Sequence, residues 1–308
     1  MSQPADDVDR ARRLRRLKAH AQGKYTVVPL VSGSMLAATL STKPEFLRSA
    51  RHGANAIAIM MQSRVLRVVG GGVVYIGGVA AAYEYSRPIP KLPSSCERCA
   101  KFNELAPNYD GEIAQDEKTS GILDLRRELA AHASGKTLEI AGGTGRNLEF
   151  YDGDRVTSLL IGDYSESMLH VAAHKVAHMR QKECSSSLAS RVTLAVLDAC
   201  ALALPSASYD TVVDTFGLCS FEKPEVALRE LARCVKPGGS VLLLEHGASD
   251  WTLLAWWQQH RLNRHVVRWG CYWNRDILGL VEGEKGLKVK SVQRKHLGTT
   301  YLIVCEKQ

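Results

Sequence analysis

The sequence predicts an α/β fold: a seven-stranded, mostly parallel sheet with crossover helices, preceded by one N-terminal membrane helix. Three observations predict it. From Lys136 onward, short apolar runs alternate with helical patterns, the mark of parallel strands joined by helices. The first of those runs ends in a glycine turn, Ala141-Gly-Gly-Thr-Gly145, which lets backbone approach a ligand where a helix begins. Upstream, Val68 to Tyr83 is an uncharged run of 16 residues, flanked by Arg64, Arg67, Arg87 and Lys91.

Taken in order, residues 1–64 form a basic extension with the character of a presequence. Its Arg10–His20 stretch would line arginines along a helix beside Leu14 and Leu17, although Asp6, Asp7 and Asp9 precede it, and targeting peptides avoid acids. Tyr25 to Thr42 is uncharged but more polar and is interrupted by Pro29, so it reads as linker. Residues 65–87 are the expected membrane anchor. A span needs about 20 residues; Tyr85 and the stems of the flanking Arg and Lys extend the run, and its five glycines suit close packing in lipid better than a soluble helix. Residues 88–101, with their prolines and serines, are read as a linker. The folded domain covers 102–308. In it Thr119 or Ser120 is expected to cap a helix running to Ala133, which Gly135 ends. Strands are expected at 136–141, 157–162, 192–197, 210–215, 240–245, 288–296 and 300–306. The last two form a hairpin through Gly298 and Thr299.

Charge narrows the partners. The net charge of +8 resides in residues 1–110, which carry 16 Lys and Arg against 8 Asp and Glu; the remaining 198 residues carry 24 of each. A nucleic-acid enzyme concentrates basic charge on its catalytic domain. A basic arm beside an apolar segment fits a membrane surface instead, so nucleic acid is not the expected partner. Eight cysteines are scattered. Cys96 and Cys99 form a single CxxC with no second pair to complete four zinc ligands, and His170, His174 and His178 share a helix face that the expected chemistry does not use. No metal is expected.

The chemistry-bearing residues follow the strand ends. Thr137-Leu-Glu139-Ile-Ala141-Gly-Gly143-Thr144-Gly145 joins an acid-bearing strand to the glycine turn. Its spacing is not the GxGxxG of nicotinamide enzymes, so no pyrophosphate needs to sit at the helix N-terminus. About twenty residues on, Asp163 ends the second strand in Asp163-Tyr164-Ser-Glu-Ser-Met168. An acid there can accept hydrogen bonds from both hydroxyls of a ribose, or can cap the following helix. Asp198-Ala199 ends the third strand, where a carboxylate can meet an adenine amino group and the next N–H a ring nitrogen. Asp214-Thr215 ends the fourth, and Val235-Lys-Pro-Gly-Gly239 turns into the fifth.

Those residues carry a resemblance. Ala-Gly-Gly-Thr-Gly, Asp-x-Ser-x-x-Met-Leu, Asp-Ala-x-x-Leu-x-Leu-Pro, Phe-Gly-Leu and Lys-Pro-Gly-Gly resemble the UbiE-type quinone C-methyltransferases. Asp214-Thr-Phe-Gly-Leu-Cys-Ser220, Leu243-Leu-Glu245-His246-Gly247 and Trp269-Gly-Cys-Tyr-Trp-Asn274-Arg275-Asp276 resemble the Oms-type mitochondrial inner-membrane methyltransferases more closely. The Glu245-His246 pair and the Trp-rich stretch are shared, more loosely, with membrane-anchored thiol methyltransferases. The resemblance covers about residues 65–308. It implies a class I, Rossmann-like methyltransferase fold, S-adenosylmethionine as cofactor, and a place in the mitochondrial inner membrane with a single pass. It implies Glu139, Ala141, Gly143, Thr144, Gly145, Asp163, Tyr164, Met168, Asp198, Ala199 and Thr215 in the cofactor pocket. It also implies that residues 102–118, including Tyr109, cover that pocket as a lid.

Methyl transfer requires alignment of donor and acceptor and sometimes removal of a proton. His246 follows the fifth strand on the rim where acceptors sit and is the candidate general base, or else a group that orients Glu245 or the next loop. All five tryptophans fall in residues 251–273; they could wall an apolar acceptor pocket, meet a membrane interface or pack a helical insert. Tyr109, Trp269 and Arg275 are candidate substrate contacts, with Arg275 equally able to serve the cap of the next helix. A small lipophilic acceptor, quinone-like or thiol, is the expected substrate class. An RNA or protein methyltransferase, or a non-catalytic mitochondrial assembly factor that keeps the fold, is the alternative.

Overall fold

A computed structural model of the chain describes residues 64–86, 93–182 and 188–308. The Arg10–His20 and Tyr25–Thr42 stretches lie outside the described residues. The chain divides into two units at Pro88. In the first, the described part is helix α1, Arg64–Ser86, so the expected helix forms. Its Val73, Val74, Ile76 and Val79 are exposed. Among the described residues, however, no helix is long and apolar enough to cross a membrane, which corrects the span expected over 65–87. Glycine contributes no apolar side chain, and five of the 16 uncharged positions are glycine.

The second unit starts earlier than the sequence suggests. Helix α2, Ser95–Leu105, occupies half of the expected linker. A capping box starts it: Ser94 N donates to Glu97 Oε2 at 2.8 Å and Glu97 N donates to Ser94 Oγ at 3.3 Å, satisfying two helix-end donors at once. Helices α3 (Tyr109–Ser120) and α4 (Ile122–Ala131) follow. The expected cap at Thr119 or Ser120 does not form. Both hydroxyls donate back to carbonyls of Gln115 and Asp116, and the break comes one residue later at Gly121, whose φ of 80° suits glycine.

Strands β1 (Gly135–Ile140), β2 (Val156–Asp163), β3 (Val192–Val196), β4 (Tyr209–Thr215), β5 (Val235–His246), β6 (Leu287–Lys295) and β7 (Thr300–Lys307) fall where the apolar runs place them. They form one sheet in the order β3-β2-β1-β4-β5-β7-β6. The first five are parallel, and β7 enters antiparallel between β5 and β6. Helices α5 (Glu166–Lys182), α6 (Pro224–Cys234), α7 (Thr252–Trp269) and α8 (Ile277–Glu282) complete the unit.

Strand alternation builds two apolar cores, one on each face. Leu138, Ile140, Val212, Val241 and Leu243 meet Leu228 and Leu231 of α6 and Ile277 and Val281 of α8. Leu159, Ile161, Val213, Leu242 and Leu244 meet Leu125 and Leu129 of α4 and Leu169 and Val176 of α5. Both faces are covered, so the central strands read as continuous apolar runs. The chain winds outward from β1 through β2 to β3, and in the other direction from β4 to β5. That reversal leaves a crevice at the carboxyl ends of β1 and β4, where open α/β sheets bind ligands.

Candidate active site

An open cleft lies there. Its floor is the turn after β1. Ala141 takes φ 52° and Gly143 φ 53°, conformations rare for side-chain-bearing residues. A Cβ on Gly143 would meet nothing within 4 Å, so this turn presents bare backbone to open space. Gly143 N donates to Asp163 Oδ2 at 2.8 Å and Ser165 N to Asp163 Oδ1 at 2.7 Å. Burial raises the Asp163 pKa, and the surrounding backbone N–H groups oppose the rise by favouring its anion. Asp198, with Oδ1 accepting from Cys200 N at 2.8 Å, lines the far end beside Leu197 and Ala199.

A buried polar layer lies under the floor. Glu139 accepts from Asn147 Nδ2 at 2.8 Å and from the Tyr151 hydroxyl at 2.9 Å, and burial lifts its pKa to about 7. Arg126 Nη1 donates to Asn147 Oδ1 at 2.9 Å and to Thr215 Oγ1 at 3.3 Å. The same guanidinium grips the segment above: Arg126 Nε and Nη2 donate to Glu117 Oε1 at 3.0 and 2.7 Å, and Arg146 Nε donates to Glu117 Oε2 at 3.0 Å. Asp110 adds a second tie, accepting from Thr144 Oγ1 at 2.6 Å and pairing with Lys175 at 2.5 Å. Phe102 of α2 and Tyr109 of α3, edge to face at 6.5 Å, line the cleft. Burial pushes the Tyr109 hydroxyl to about 12, so it stays a proton donor. Within residues 102–118, then, Phe102 and Tyr109 line the cleft while Asp110 and Glu117 tie the segment to Thr144, Lys175, Arg126 and Arg146.

The remaining wall is the loop after β4. Phe216 takes φ 59°, an outlier for an aromatic residue that marks stored strain. With Gly217, Ser220 and Phe221 it lines the cleft. Beneath it Asp214 and Glu245 form a buried carboxyl pair. Burial raises both, Asp214 to about 8 and Glu245 well above the usual range. Glu245 holds the loop by accepting from Gly217 N at 3.2 Å and Cys219 N at 3.1 Å.

Of the residues expected around the cofactor, Ala141, Gly143, Thr144, Asp163, Tyr164, Met168, Asp198, Ala199 and Thr215 line the cleft. Glu139 lies beneath it, and Gly145 faces Leu148 and Ala172. The acceptor-side candidates divide. Tyr109 lines the cleft, whereas His246, Trp269 and Arg275 do not. His246 stacks behind Phe216 at a ring separation of 4.3 Å. Arg275 Nη1 braces the loop through Leu218 O at 2.8 Å, and Trp269 lies under the Arg268 guanidinium at 4.8 Å. The sequence did not reveal Arg98, Cys99, Arg126, Arg146 or Phe216 as cleft residues. The capping box at Ser94 would have signalled the helix that brings Arg98 and Cys99. Nothing local marks Arg126, which reads as one more charge on an amphipathic helix.

Known proteins bear on this geometry. Residues 138–243 match the family described as a methyltransferase domain. The chain is 33% identical over 215 residues to mitochondrial methyltransferase OMS1 of Saccharomyces cerevisiae, covering 67% of this chain and 45% of that one. It is 31% identical over 153 residues to the ubiquinone/menaquinone biosynthesis C-methyltransferase UbiE of Saccharophagus degradans, covering 47% and 57%. The chain therefore spans about half the length of these curated relatives. Among solved structures it is similar to the cyclase SpnF, with a TM-score of 0.55 and 15% identity over 71% of this chain and 98% of that one. It is also similar to an O-methyltransferase family protein from Burkholderia thailandensis, with a TM-score of 0.53 and 17% identity over 78% and 71%. At such identities the likeness is one of fold, and fold alone does not fix chemistry.

Proposed function

The chain carries an S-adenosylmethionine-dependent methyltransferase domain, and from that premise we propose that it methylates a small lipophilic acceptor, quinone-like or thiol, at a mitochondrial membrane. The observation that carries the proposal is the apolar acceptor wall of Phe102, Tyr109, Phe216 and Phe221 closing on the polar cofactor cradle. The neutral charge of residues 111–308 argues against RNA. The name of the yeast relative supplies the mitochondrion, and the UbiE relatives supply the quinone-like class. For membrane contact, the support is the exposed Val73, Val74, Ile76 and Val79 of α1 and, separately, the exposed Trp251, Trp256 and Trp257, amphipathic rings suited to a headgroup layer.

The cradle fits the cofactor. We assign Asp163 to the ribose hydroxyls, Asp198 and the Ala199 N–H to adenine, and the bare turn at Gly143-Thr144 to the methionine end, all of them lining the cleft. When bound, the cofactor supplies an electrophilic sulfonium methyl. The protein's part is to align the acceptor in line with it and to keep water out. The lid does the second through its ties to Arg126, Arg146 and Thr144. The strained Phe216 does the first, backed by His246, which we place as a positioning residue and not as the base. Tyr109 O–H and the Arg98 guanidinium are the donors left to hold an acceptor oxygen or sulfur.

The test is transfer of labelled methyl by the full chain to lipid extracts, thiols, RNA and protein, beside Asp163→Ala. Label in the lipid or thiol fraction, lost in the variant, is the expected result. Label in RNA or protein only would overturn the acceptor class. A folded chain that binds the cofactor and labels nothing would favour an assembly role.

A further inference from the structure

Behind the acceptor wall, three segments distant in sequence bring Cys219, His246 and Cys271 together. Their Sγ and ring-nitrogen atoms all lie within 4.8 Å of one another. We propose that these three side chains bind a soft divalent cation, Zn²⁺ being the ion that the donor set fits. This site was not apparent from the sequence, because the spacings of 27 and 25 residues match no short ligand motif.

The donors select the metal. Two thiols and an imidazole suit zinc and disfavour Mg²⁺ and Ca²⁺, which take oxygen ligands. Zinc sets its ligands at about 2.3 Å for sulfur and about 2.0 Å for nitrogen in a tetrahedron, so ligand atoms stand about 3.3–3.8 Å apart. Closing the cluster from 4.8 Å requires each side chain to move by less than about 1 Å. Binding Zn²⁺ releases the two thiol protons to solvent and leaves a neutral unit of two thiolates, one imidazole and the cation.

The surroundings are built for such a site. His246 Nδ1 is buried with no hydrogen-bond partner, although buried polar atoms are nearly always paired, and a metal would complete it. Cys219 and Cys271 are both buried and reduced. The backbone already holds the ligands: Cys219 N donates to Glu245 Oε2 at 3.1 Å and Tyr272 N donates to Cys219 O at 2.8 Å. His265 Nε2 stands 2.9 Å from Cys271 Sγ, its ring stacked on Trp273 at 4.2 Å. It orients one thiolate and borders the fourth position. Among the described residues no other group of Cys, His, Asp or Glu meets the same spacing. A metal here would fasten the loop after β4 to the end of β5 and to the segment after α7. It would fix His246, and with it the Phe216 ring stacked on it at 4.3 Å.

Metal content reads this proposal without turnover, so it stands or falls apart from the methyl-transfer reading. The full chain, purified under reducing conditions, is expected to carry one Zn²⁺ by elemental analysis. After chelation it should take up Co²⁺ with the thiolate charge-transfer and ligand-field bands of a tetrahedral site. Cys219→Ser with Cys271→Ser should abolish both, and Cys96→Ser with Cys99→Ser should leave both intact. Wild-type protein that is metal-free as purified and takes up neither ion overturns the proposal, as does a Cys219–Cys271 disulfide found by non-reducing peptide mapping. If the double variant does not fold by circular dichroism, the Co²⁺ titration of the wild-type chain decides.

Discussion

Replacing Glu117 by Gln should release the lid while leaving the sheet intact. Glu117 is 7% exposed and Arg126 4%, so the variant leaves a guanidinium buried opposite an amide that cannot balance its charge. Breaking such a buried pair from one side costs about 3–5 kcal/mol. Arg146 relieves part of that: its side chain is 17% exposed and already lies 3.9 Å from Asp110. Arg126 also keeps Asn147 and Thr215 as partners. The loss therefore belongs at the lower end, about 3 kcal/mol, which raises the open population roughly a hundredfold. Hydrogen exchange is the assay, because it reports local opening residue by residue. Amides of α3 over Tyr109–Ser120 should exchange about a hundred times faster, with β1 and β4 unchanged and cofactor affinity reduced. Arg127→Ala is the control. Its pair with Asp124 is 62% and 80% exposed, and an exposed pair contributes little. Unchanged exchange in α3 would refute the reasoning and move the lid's anchorage to Asp110.

Asp163→Ala should weaken S-adenosylmethionine binding by about 30-fold or more, since hydrogen bonds to a charged partner contribute about 1.5–3 kcal/mol each; titration calorimetry reads it. Gly217→Ala should destabilise the domain and the acceptor wall, because the new Cβ would stand 2.1 Å from Asp214 Oδ1; the change in unfolding temperature checks this. The Asp214–Glu245 pair should make stability pH-dependent. Burial holds Asp214 at about 8 against an ordinary 3.8, so the folded pair keeps a proton that the unfolded chain has released. Stability is full below the unfolded value and falls as pH rises toward the folded one. Asp214→Asn should flatten that slope between pH 5 and 8, and an unaltered slope would place its origin elsewhere.

The strands were legible because burial on both faces leaves short apolar runs bounded by turn residues, as in Leu159–Ile161 and Val241–Leu244, too short for helices of ordinary length. The strand-end residues of the cleft, Asp163, Asp198 and Thr215 among them, were legible for a related reason. Each stands at a strand end or in the turn that follows, and a parallel sheet brings every strand end to one edge. Asp163, Asp198 and Thr215 therefore line one cleft although 35 and 17 residues separate them. The linker over 88–101 misled because prolines and serines suggest irregular chain, whereas the Ser94–Glu97 box starts a helix there. The helix cap misled because a hydroxyl near a helix end can bond forward or backward, and packing chooses.

By itself the sequence determined the α/β class, the sheet's strands and most of the strand-end residues that line the cleft, since these follow from local periodicity and from chain direction. Only the tertiary structure decided which of the remaining candidates line the cleft: Tyr109 does, and His246, Trp269 and Arg275 do not. His246 stands behind Phe216, whose ring stacks on it at 4.3 Å, and lies outside the cleft lining, a placement no local pattern around His246 records. Whether Glu117 was a solvated charge or the anchor of a lid depends on Arg126 and Arg146 meeting it from two other segments. The gathering of Cys219, His246 and Cys271 rests on contacts between three chain segments, and pairings of that kind leave no period or spacing for a sequence to show.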